Sequence, residues 1–227
     1  MISINSLSKS YGKYTVLHDI NLTFRKGEVC GIVGANGAGK TTLFKCIAGL
    51  ESFNGNIQYN GEQLKNVTGY LPTELFFFSK MTGSEYLQLV CNARDLKEIN
   101  IENSNIFDLP LNQYAESYST GMKKKLALTG LLIQKNEVFI LDEHFNGVDI
   151  QSNIIIREII LKLKQLGKIV IMSSHIFSTL NDSCDHLHYL KDGIIKSSAL
   201  KGEFEQIENE MKSGNAGNRI ADLFNVN

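Results

Sequence analysis

The chain has 227 residues, a length that suits one α/β domain with or without a subdomain. Its 43% hydrophobic content is ordinary for a soluble protein, and a net charge of −1 gives no argument for nucleic-acid binding. The apolar runs are far shorter than a membrane span, and residues 1–10 lack the apolar core of a signal peptide. Four widely spaced cysteines without a C-x-x-C pair predict small core residues and a reduced, cytosolic location.

The most informative segment is residues 34–41, which match the pattern G-x-x-x-x-G-K-[ST] in full. Short β-like runs with turns occupy residues 1–28, a buried strand is predicted at 29–33 and a helix at 42–48. A loop of this kind cradles phosphates with its backbone N–H groups, while Lys40 reaches the β- and γ-phosphates and Thr41 ligates Mg²⁺. The alternative is a glycine-rich turn without a ligand, which does not account for lysine and threonine in register.

The middle of the chain changes from strands to helices. Residues 56–71 predict two strands joined by a hairpin turn at Asn60-Gly61. From 73 to 134 the spacing predicts helices at 84–93 and 120–132, the second capped by Ser119. Taken alone, 119–122 is an ordinary helix start followed by a solvated basic face at Lys123–Lys125; the functional interpretation is a second phosphate-binding helix N-terminus.

A second chemical motif follows a buried strand predicted at 138–141, where Asp142 and Glu143 end the apolar run. The carboxyl edge of a parallel sheet faces the ligand crevice, so Asp142 would hold Mg²⁺ and Glu143 would act as general base on water. An acidic turn is the alternative. After a helix at 152–165 and a strand at 168–172, His175 could orient water at the γ-phosphate; alone, it is better explained as a polar residue at a strand end.

The last part of the chain predicts an antiparallel hairpin, with strands at 186–190 and 194–198 around Asp192-Gly193. A charged amphipathic helix at 203–212 follows, and the tail from residue 213 is expected to be loosely ordered. The predicted fold class is therefore α/β, with a mostly parallel sheet carrying a β lobe and a helical insertion.

In this order and spacing, the motifs resemble the nucleotide-binding subunit of ATP-binding-cassette (ABC) transporters over residues 2–195. The resemblance implies a P-loop NTPase core of the ABC-ATPase type, flanked by helices, with an antiparallel β lobe and an α-helical subdomain. It implies a single domain over 1–227: β lobe and nucleotide core at 1–72 and 135–200, helical subdomain at 73–134, and C-terminal helix and tail at 201–227.

The resemblance also assigns roles to individual residues. Tyr11 matches the aromatic that stacks on adenine, although a plain turn tyrosine is the alternative. Glu143 matches the catalytic base, and His175 matches the switch histidine. Asp142 and Thr41 match the ligands of Mg²⁺. The remaining residues implied to bind ATP are Gly34, Asn36, Gly37, Ala38, Gly39, Lys40, Thr42, Ser119, Gly121 and Asp149.

The chain departs from the family pattern at two places. Thr120 replaces the first of two adjacent glycines in the family's signature segment, residues 119–122 here. Thr73 stands where the family has glutamine, with Glu74 next, and Glu74 is the candidate substitute. The following residues, 75–78, are either a docking surface for a membrane partner or core of the helical lobe.

The resemblance implies an ATPase whose hydrolysis of ATP powers transport of the export type. It also implies two kinds of partner: separate integral membrane subunits, and a second ABC ATPase chain that is identical or different. Such a subunit is cytoplasmic and peripheral on the inner face of the membrane, and no nucleic acid is implied. The alternatives are a soluble single-cassette ATPase without a transport role, a P-loop kinase or GTPase, and a partly degenerate cassette paired with an active one.

Overall fold

The computed structural model describes residues 1–60, 63–97, 99–144, 146–174 and 177–212. The strands are β1 (Ile2–Tyr11), β2 (Tyr14–Phe24), β3 (Val29–Val33), β4 (Asn54–Tyr59), β5 (Thr68–Leu71), β6 (Val138–Asp142), β7 (Ile169–Ser173), β8 (His186–Lys191) and β9 (Ile194–Leu200). The helices are α1 (Lys40–Ile47), α2 (Leu64–Val67), α3 (Gly83–Asn92), α4 (Thr120–Ile133), α5 (Ile150–Gln165), α6 (Phe177–Ser183) and α7 (Phe204–Lys212), with a short 3₁₀ turn at Ala115–Ser117.

Two sheets organise the described chain. A six-stranded sheet has the order β5-β6-β7-β3-β8-β9, and all neighbours are parallel except β8 and β9. An antiparallel sheet has the order β2-β1-β4. This arrangement confirms the expected α/β fold with a mostly parallel sheet and an antiparallel β lobe, and the C-terminal hairpin of β8 and β9 is also confirmed.

The central strands are apolar throughout because both of their faces are buried. In β6, Val138 and Ile140 belong to the core beneath the β lobe and α1, whereas Phe139 and Leu141 belong to the core that includes side chains of α3–α7. Successive strand side chains point to opposite faces, so a strand covered on both sides shows a continuous apolar run. The runs at 138–141 and 168–172 predicted this burial correctly.

The predicted hairpin at Asn60-Gly61 is wrong. The strand before it, β4, pairs with β1 in the antiparallel sheet, and the strand after it, β5, pairs with β6 in the parallel sheet. Asn60 adopts a left-handed conformation with φ of 43°, which is common in turns, and Gly61 lies outside the described residues. Between β4 and β5 the chain therefore passes from one sheet to the other instead of folding back as a hairpin.

The segment 73–134 contains α3 and α4, close to the predicted bounds, joined by a long connection of turns and irregular chain. Helix α3 begins with a capping box, in which Thr82 accepts from the Glu85 amide and Glu85 reaches back to the Thr82 amide. The division of the chain at residues 72, 134 and 200 stays a prediction. The tail from residue 213, expected to be loosely ordered, lies outside the described residues.

Candidate nucleotide site

The phosphate loop connects β3 to α1 by backbone positions that exclude larger side chains. A Cβ added at Gly34 would lie 2.2 Å from the Leu190 carbonyl oxygen. Gly39 caps α1 with φ of 107°, a left-handed conformation that favours glycine. Because Gly39 has no side-chain acceptor, the first amides of α1 are left to an external anion, as in phosphate-binding helix N-termini.

A cavity of about 910 Å³ opens beside this loop. It is lined by Tyr14, Val16, Asn36, Gly37, Gly39, Lys40, Thr41, Thr42, Lys45, Leu50, Tyr70, Pro72, Thr73, Glu74 and Glu143. Six of the predicted loop residues line it, whereas Gly34 and Ala38 are buried behind the surface. The cavity is large enough for a nucleotide-sized ligand.

Lys40 is buried, and its ammonium donates to the carbonyl oxygens of Gly34 at 2.8 Å and Ala35 at 3.1 Å. Burial lowers the pKa of Lys40, while the nearby carboxylates of Glu143 and Asp142 act in the opposite direction. The loop therefore holds a cation at its centre, facing the cavity where phosphates would lie.

Asp142 ends β6 with a carboxylate that is only 1% exposed and is held from two sides. Its Oδ2 accepts from the Thr41 hydroxyl at 2.7 Å, and its Oδ1 accepts from the Ser173 hydroxyl at 2.7 Å. The two residues predicted to ligate Mg²⁺ are thus in direct contact. Hydroxyl and carboxylate oxygens are ligands that Mg²⁺ prefers, and a site with two of them leaves the remaining positions to water and phosphate oxygens, so the residues fit the ion.

Ser173 was missed in the sequence. It lies at the end of β7, in register with Asp142 on the neighbouring parallel strand, and it also accepts from the Glu143 amide at 3.1 Å. A serine at the carboxyl end of a strand next to an acidic strand end is the signal that could have found it.

Glu143 is half-buried and lines the cavity from a strained backbone position, with φ of 52°. Its carboxylate accepts from the Asn146 amide at 3.3 Å, and its backbone carbonyl accepts from the Lys124 ammonium at 2.7 Å. The structure therefore places the predicted base at the edge of the cavity, next to Asp142 and across from Lys40. His175 lies outside the described residues.

The signature segment forms the start of α4. The Ser119 hydroxyl caps the helix by accepting from the Met122 amide at 3.2 Å. Gly121 packs against the backbone of Gly147, because a Cβ there would lie 2.6 Å from the Gly147 carbonyl oxygen. Of the described residues, Ser119, Gly121 and Asp149 do not line the 910 Å³ cavity, so the structure does not bring them to this chain's own phosphate loop.

Asp149 caps α5. Its carboxylate accepts from the Ser152 amide at 2.8 Å, the Ser152 hydroxyl at 2.7 Å and the Lys125 ammonium at 3.2 Å. The bonds from Ser152, followed by those from Lys125, lower the pKa of the Asp149 carboxyl. This local role was missed in the sequence, and the expected role of Asp149 towards a second chain stays a prediction.

The two tyrosines of the first hairpin are direct partners in the β1–β2 register, so their side chains share one face. Tyr14 lines the cavity, together with Val16, and is 73% exposed. Of the described residues, Tyr11 is not part of the lining; the Lys9 ammonium lies 4.7 Å from its ring centroid. Burial and the Glu51 carboxylate raise the pKa of Tyr11. The sequence singled out Tyr11 and missed Tyr14, although a two-residue turn pairs them.

The segment where the family has glutamine also borders the site. Thr73 and Glu74 line the cavity, and the Thr73 hydroxyl lies 3.5 Å from the Asp142 carbonyl oxygen. In the aromatic run that follows, Phe77 is buried and packs against Tyr86. Phe76 and Phe78 are 78% and 55% exposed, and their rings contact each other edge to face with a centroid distance of 5.4 Å. Phe77 is therefore core, as one of the two interpretations expected, and a docking surface at Phe76 and Phe78 stays a prediction.

Among the described residues, no helix is long and apolar enough to cross a membrane.

A family model described as ABC transporter matches residues 17–146. The chain is 32% identical to the lantibiotic transport ATP-binding protein SrtF of Streptococcus pyogenes, over 92% of this chain and 93% of that protein. It is 33% identical to the ABC transporter ATP-binding protein NatA of Bacillus subtilis, over 86% of each.

Solved structures give the same result. An ATP-binding subunit of an ABC transporter superimposes with a TM-score of 0.80 at 25% identity, over 98% of this chain and 99% of that one. A dimeric ATP-binding cassette in a post-hydrolysis state with ADP and Pi has the same TM-score at 19% identity, over 88% of this chain and 98% of that one. At this identity the match supports the fold alone. With the phosphate loop, the paired acids and the mixed sheet in place, these matches show that the chain belongs to the ABC transporter family, among its ATP-binding proteins.

Proposed function

We propose that the chain hydrolyses ATP at the cavity beside the phosphate loop and that this hydrolysis drives transport. The observation that carries the proposal is the hydrogen bond of 2.7 Å between the Thr41 hydroxyl and the Asp142 carboxylate, with Glu143 following directly. This contact joins the phosphate loop to the acidic strand end, so that a phosphate bound on one lies next to the other.

In this mechanism the loop amides and the Lys40 ammonium bind the phosphates and balance their charge. Thr41 and Asp142 would hold Mg²⁺, which neutralises charge that develops on the phosphoryl oxygens. Glu143 orients the attacking water and takes up its proton at the carboxylate, which Asn146 holds by a hydrogen bond of 3.3 Å. His175 is the proposed partner of Glu143 at the γ-phosphate.

The proposal also requires a second chain. Ser119 and Gly121 start a 14-residue helix whose N-terminus is suited to phosphate but lies away from this chain's own cavity. We therefore propose that this N-terminus closes over the nucleotide of a second ABC ATPase chain, identical or different, and that Asp149 lies at the same interface. Binding of ATP would favour the closed dimer and hydrolysis the open one.

Transport requires membrane subunits as further partners. The exposed pair Phe76 and Phe78 follows directly after the cavity residues Thr73 and Glu74, so a partner docked there would sense the nucleotide site. We place the chain on the cytoplasmic face of the membrane. Relatives named for lantibiotic and bacitracin transport support a transport role, and we assign the export direction on the sequence resemblance.

The experiment is a pull-down from detergent-solubilised native membranes with tagged Glu143→Gln protein and Mg-ATP, read by mass spectrometry. We expect one multi-span membrane protein, recovered by this variant and lost when Phe76 and Phe78 are both changed to serine. A tagged chain that is absent from membranes and recovers only soluble proteins, with or without the serines, would favour the soluble single-cassette ATPase.

A further inference from the structure

Lys124 is a buried lysine that the sequence placed on a solvated basic face. It lies in the first turns of α4 and is 4% exposed. Its ammonium donates to the backbone carbonyl of Glu143 at 2.7 Å. Lysines are rarely buried to this degree unless they are paired, so the position of this ammonium is set by its partners.

Lys124 lies near the carboxylates of the two acids of the nucleotide site. Burial lowers the pKa of Lys124, and the carboxylates of Glu143 and Asp142 oppose that shift. A cation in this place reduces the repulsion between the adjacent acids, and its hydrogen bond joins the backbone of Glu143 to α4. Its neighbour Lys123 is partly exposed, which makes it a natural control.

Glu143 has a backbone that must be held in place. With φ of 52° it occupies the left-handed region, which is uncommon for residues with a side chain. The Ser173 hydroxyl accepts from its amide at 3.1 Å, and the Lys124 ammonium binds its carbonyl. Two bonds on the two sides of one residue fix both of its peptide planes, and with them the direction in which its side chain leaves the backbone.

Two further contacts join the start of α4 to the segment after β6. Gly121 lies against the Gly147 carbonyl, and Lys125 binds the Asp149 carboxylate at 3.2 Å. Together with the bond from Lys124 to Glu143, these contacts connect the signature helix to residues 143–149 at three points. The helix start and the base therefore form one packed unit within the chain.

We infer that Lys124 is a positioning residue for Glu143: it fixes the backbone of the base and ties it to the signature helix of the same chain. The inference rests on the proposed function, in which Glu143 is the base and α4 faces a second chain's nucleotide. It follows that a shift of α4 on closing over that nucleotide moves Glu143 at this chain's own site.

The test compares steady-state ATP hydrolysis by the unaltered chain with Lys124→Met, Lys124→Arg and Lys123→Met. We expect Lys124→Met to lower kcat by about tenfold or more and to leave KM and ATP-dependent dimerisation within about twofold. Lys124→Arg keeps a charged donor and should recover most of kcat, and Lys123→Met should match the unaltered chain. If Lys124→Met does not fold, Lys124→Leu, which also removes the donor, gives the same comparison.

A double-mutant cycle separates positioning from a general structural effect. In single-turnover hydrolysis, Lys124→Met should cost about tenfold alone and almost nothing in a Glu143→Gln background, because a glutamine cannot take up the proton wherever it is held. Losses that multiply in the double variant would overturn the inference, since Lys124 would then act independently of Glu143.

The outcomes for the inference and for the proposed function are distinct. If the unaltered chain hydrolyses ATP and Lys124→Met keeps the same kcat, the inference is wrong and the proposed function stands. If the folded, unaltered chain binds ATP and neither dimerises nor hydrolyses it, both are wrong.

Discussion

At the scale of single residues, the two tyrosines of the first hairpin, Tyr11 and Tyr14, are alternative candidates for the side chain that stacks on the adenine of ATP. Tyr14 lines the cavity, whereas the ring of Tyr11 has the Lys9 ammonium 4.7 Å from its centroid. We expect Tyr14→Ala to weaken ATP binding by about 1–3 kcal/mol, the range for loss of stacking on one base, and Tyr11→Ala to weaken it less.

Titration calorimetry of both variants with ATP measures this difference. Inorganic triphosphate, which has no base, is the control ligand and should bind both variants as it binds the unaltered chain. A loss of ATP affinity confined to Tyr11→Ala would restore the assignment made from the sequence.

The residues that sequence reasoning found and missed differ in a physical way. Lys40, Thr41, Asp142 and Glu143 stand in short motifs whose chemistry is local, so the pattern alone places them. Lys124 was expected to be solvated, because a run of three lysines predicts an exposed face. Its burial depends on packing against a segment about 20 residues further along the chain, which no local pattern reports.

At the scale of elements, the fit between α4 and the segment after β6 is close enough to test. A Cβ at Gly121 would lie 2.6 Å from a backbone oxygen, so Gly121→Ala must displace the helix or the loop. We expect it to lower the free energy of unfolding by about 1–3 kcal/mol, the usual cost of overpacking.

Gly130 on the same helix is the matched control. A Cβ there would approach its nearest side-chain atom, on Tyr86, at 3.4 Å, an ordinary contact. Gly130→Ala should therefore raise stability by up to about 1 kcal/mol through helix propensity. Urea unfolding of both variants gives the comparison, and equal effects of the two substitutions would contradict the packing described for Gly121.

Element prediction succeeded where one strand or helix carries its own pattern and failed where a partner had to be chosen. The buried strands and the helices after them follow from apolar period and length. The failed hairpin at 60–61 shows the limit: Asn-Gly reports a turn, but the sheet that each flanking strand joins depends on the rest of the chain.

At the scale of the whole molecule, two histidines make stability depend on pH: His144, which is buried, and His188, which is partly buried. Burial lowers the pKa of His144 to about 3 and that of His188 to about 4, below their ordinary value of 6.5. The unfolded chain takes up protons first as pH falls through 6.5, so stability is complete above that pH and is lost towards the folded-state values.

We expect the free energy of unfolding to fall between pH 7.5 and 5, a window above the usual pKa range of the carboxylates. Urea unfolding at several pH values checks this. His188→Gln removes one titrating group and should flatten the dependence; the same slope in this variant would contradict the role of His188.

The large-scale arrangement brings residues 41, 142 and 173 into contact and leaves 119 and 121 away from them, which is why the account needs two chains. The most direct test measures two properties of purified Glu143→Gln, with and without Mg-ATP: its molecular mass in solution and its rate of ATP hydrolysis. The unaltered chain is the control. We predict a dimer only with Mg-ATP and a hydrolysis rate at least about a hundredfold below that of the unaltered chain, the lower limit for loss of a general base. A variant that stays monomeric with bound Mg-ATP, or that hydrolyses it at the unaltered rate, would contradict the account.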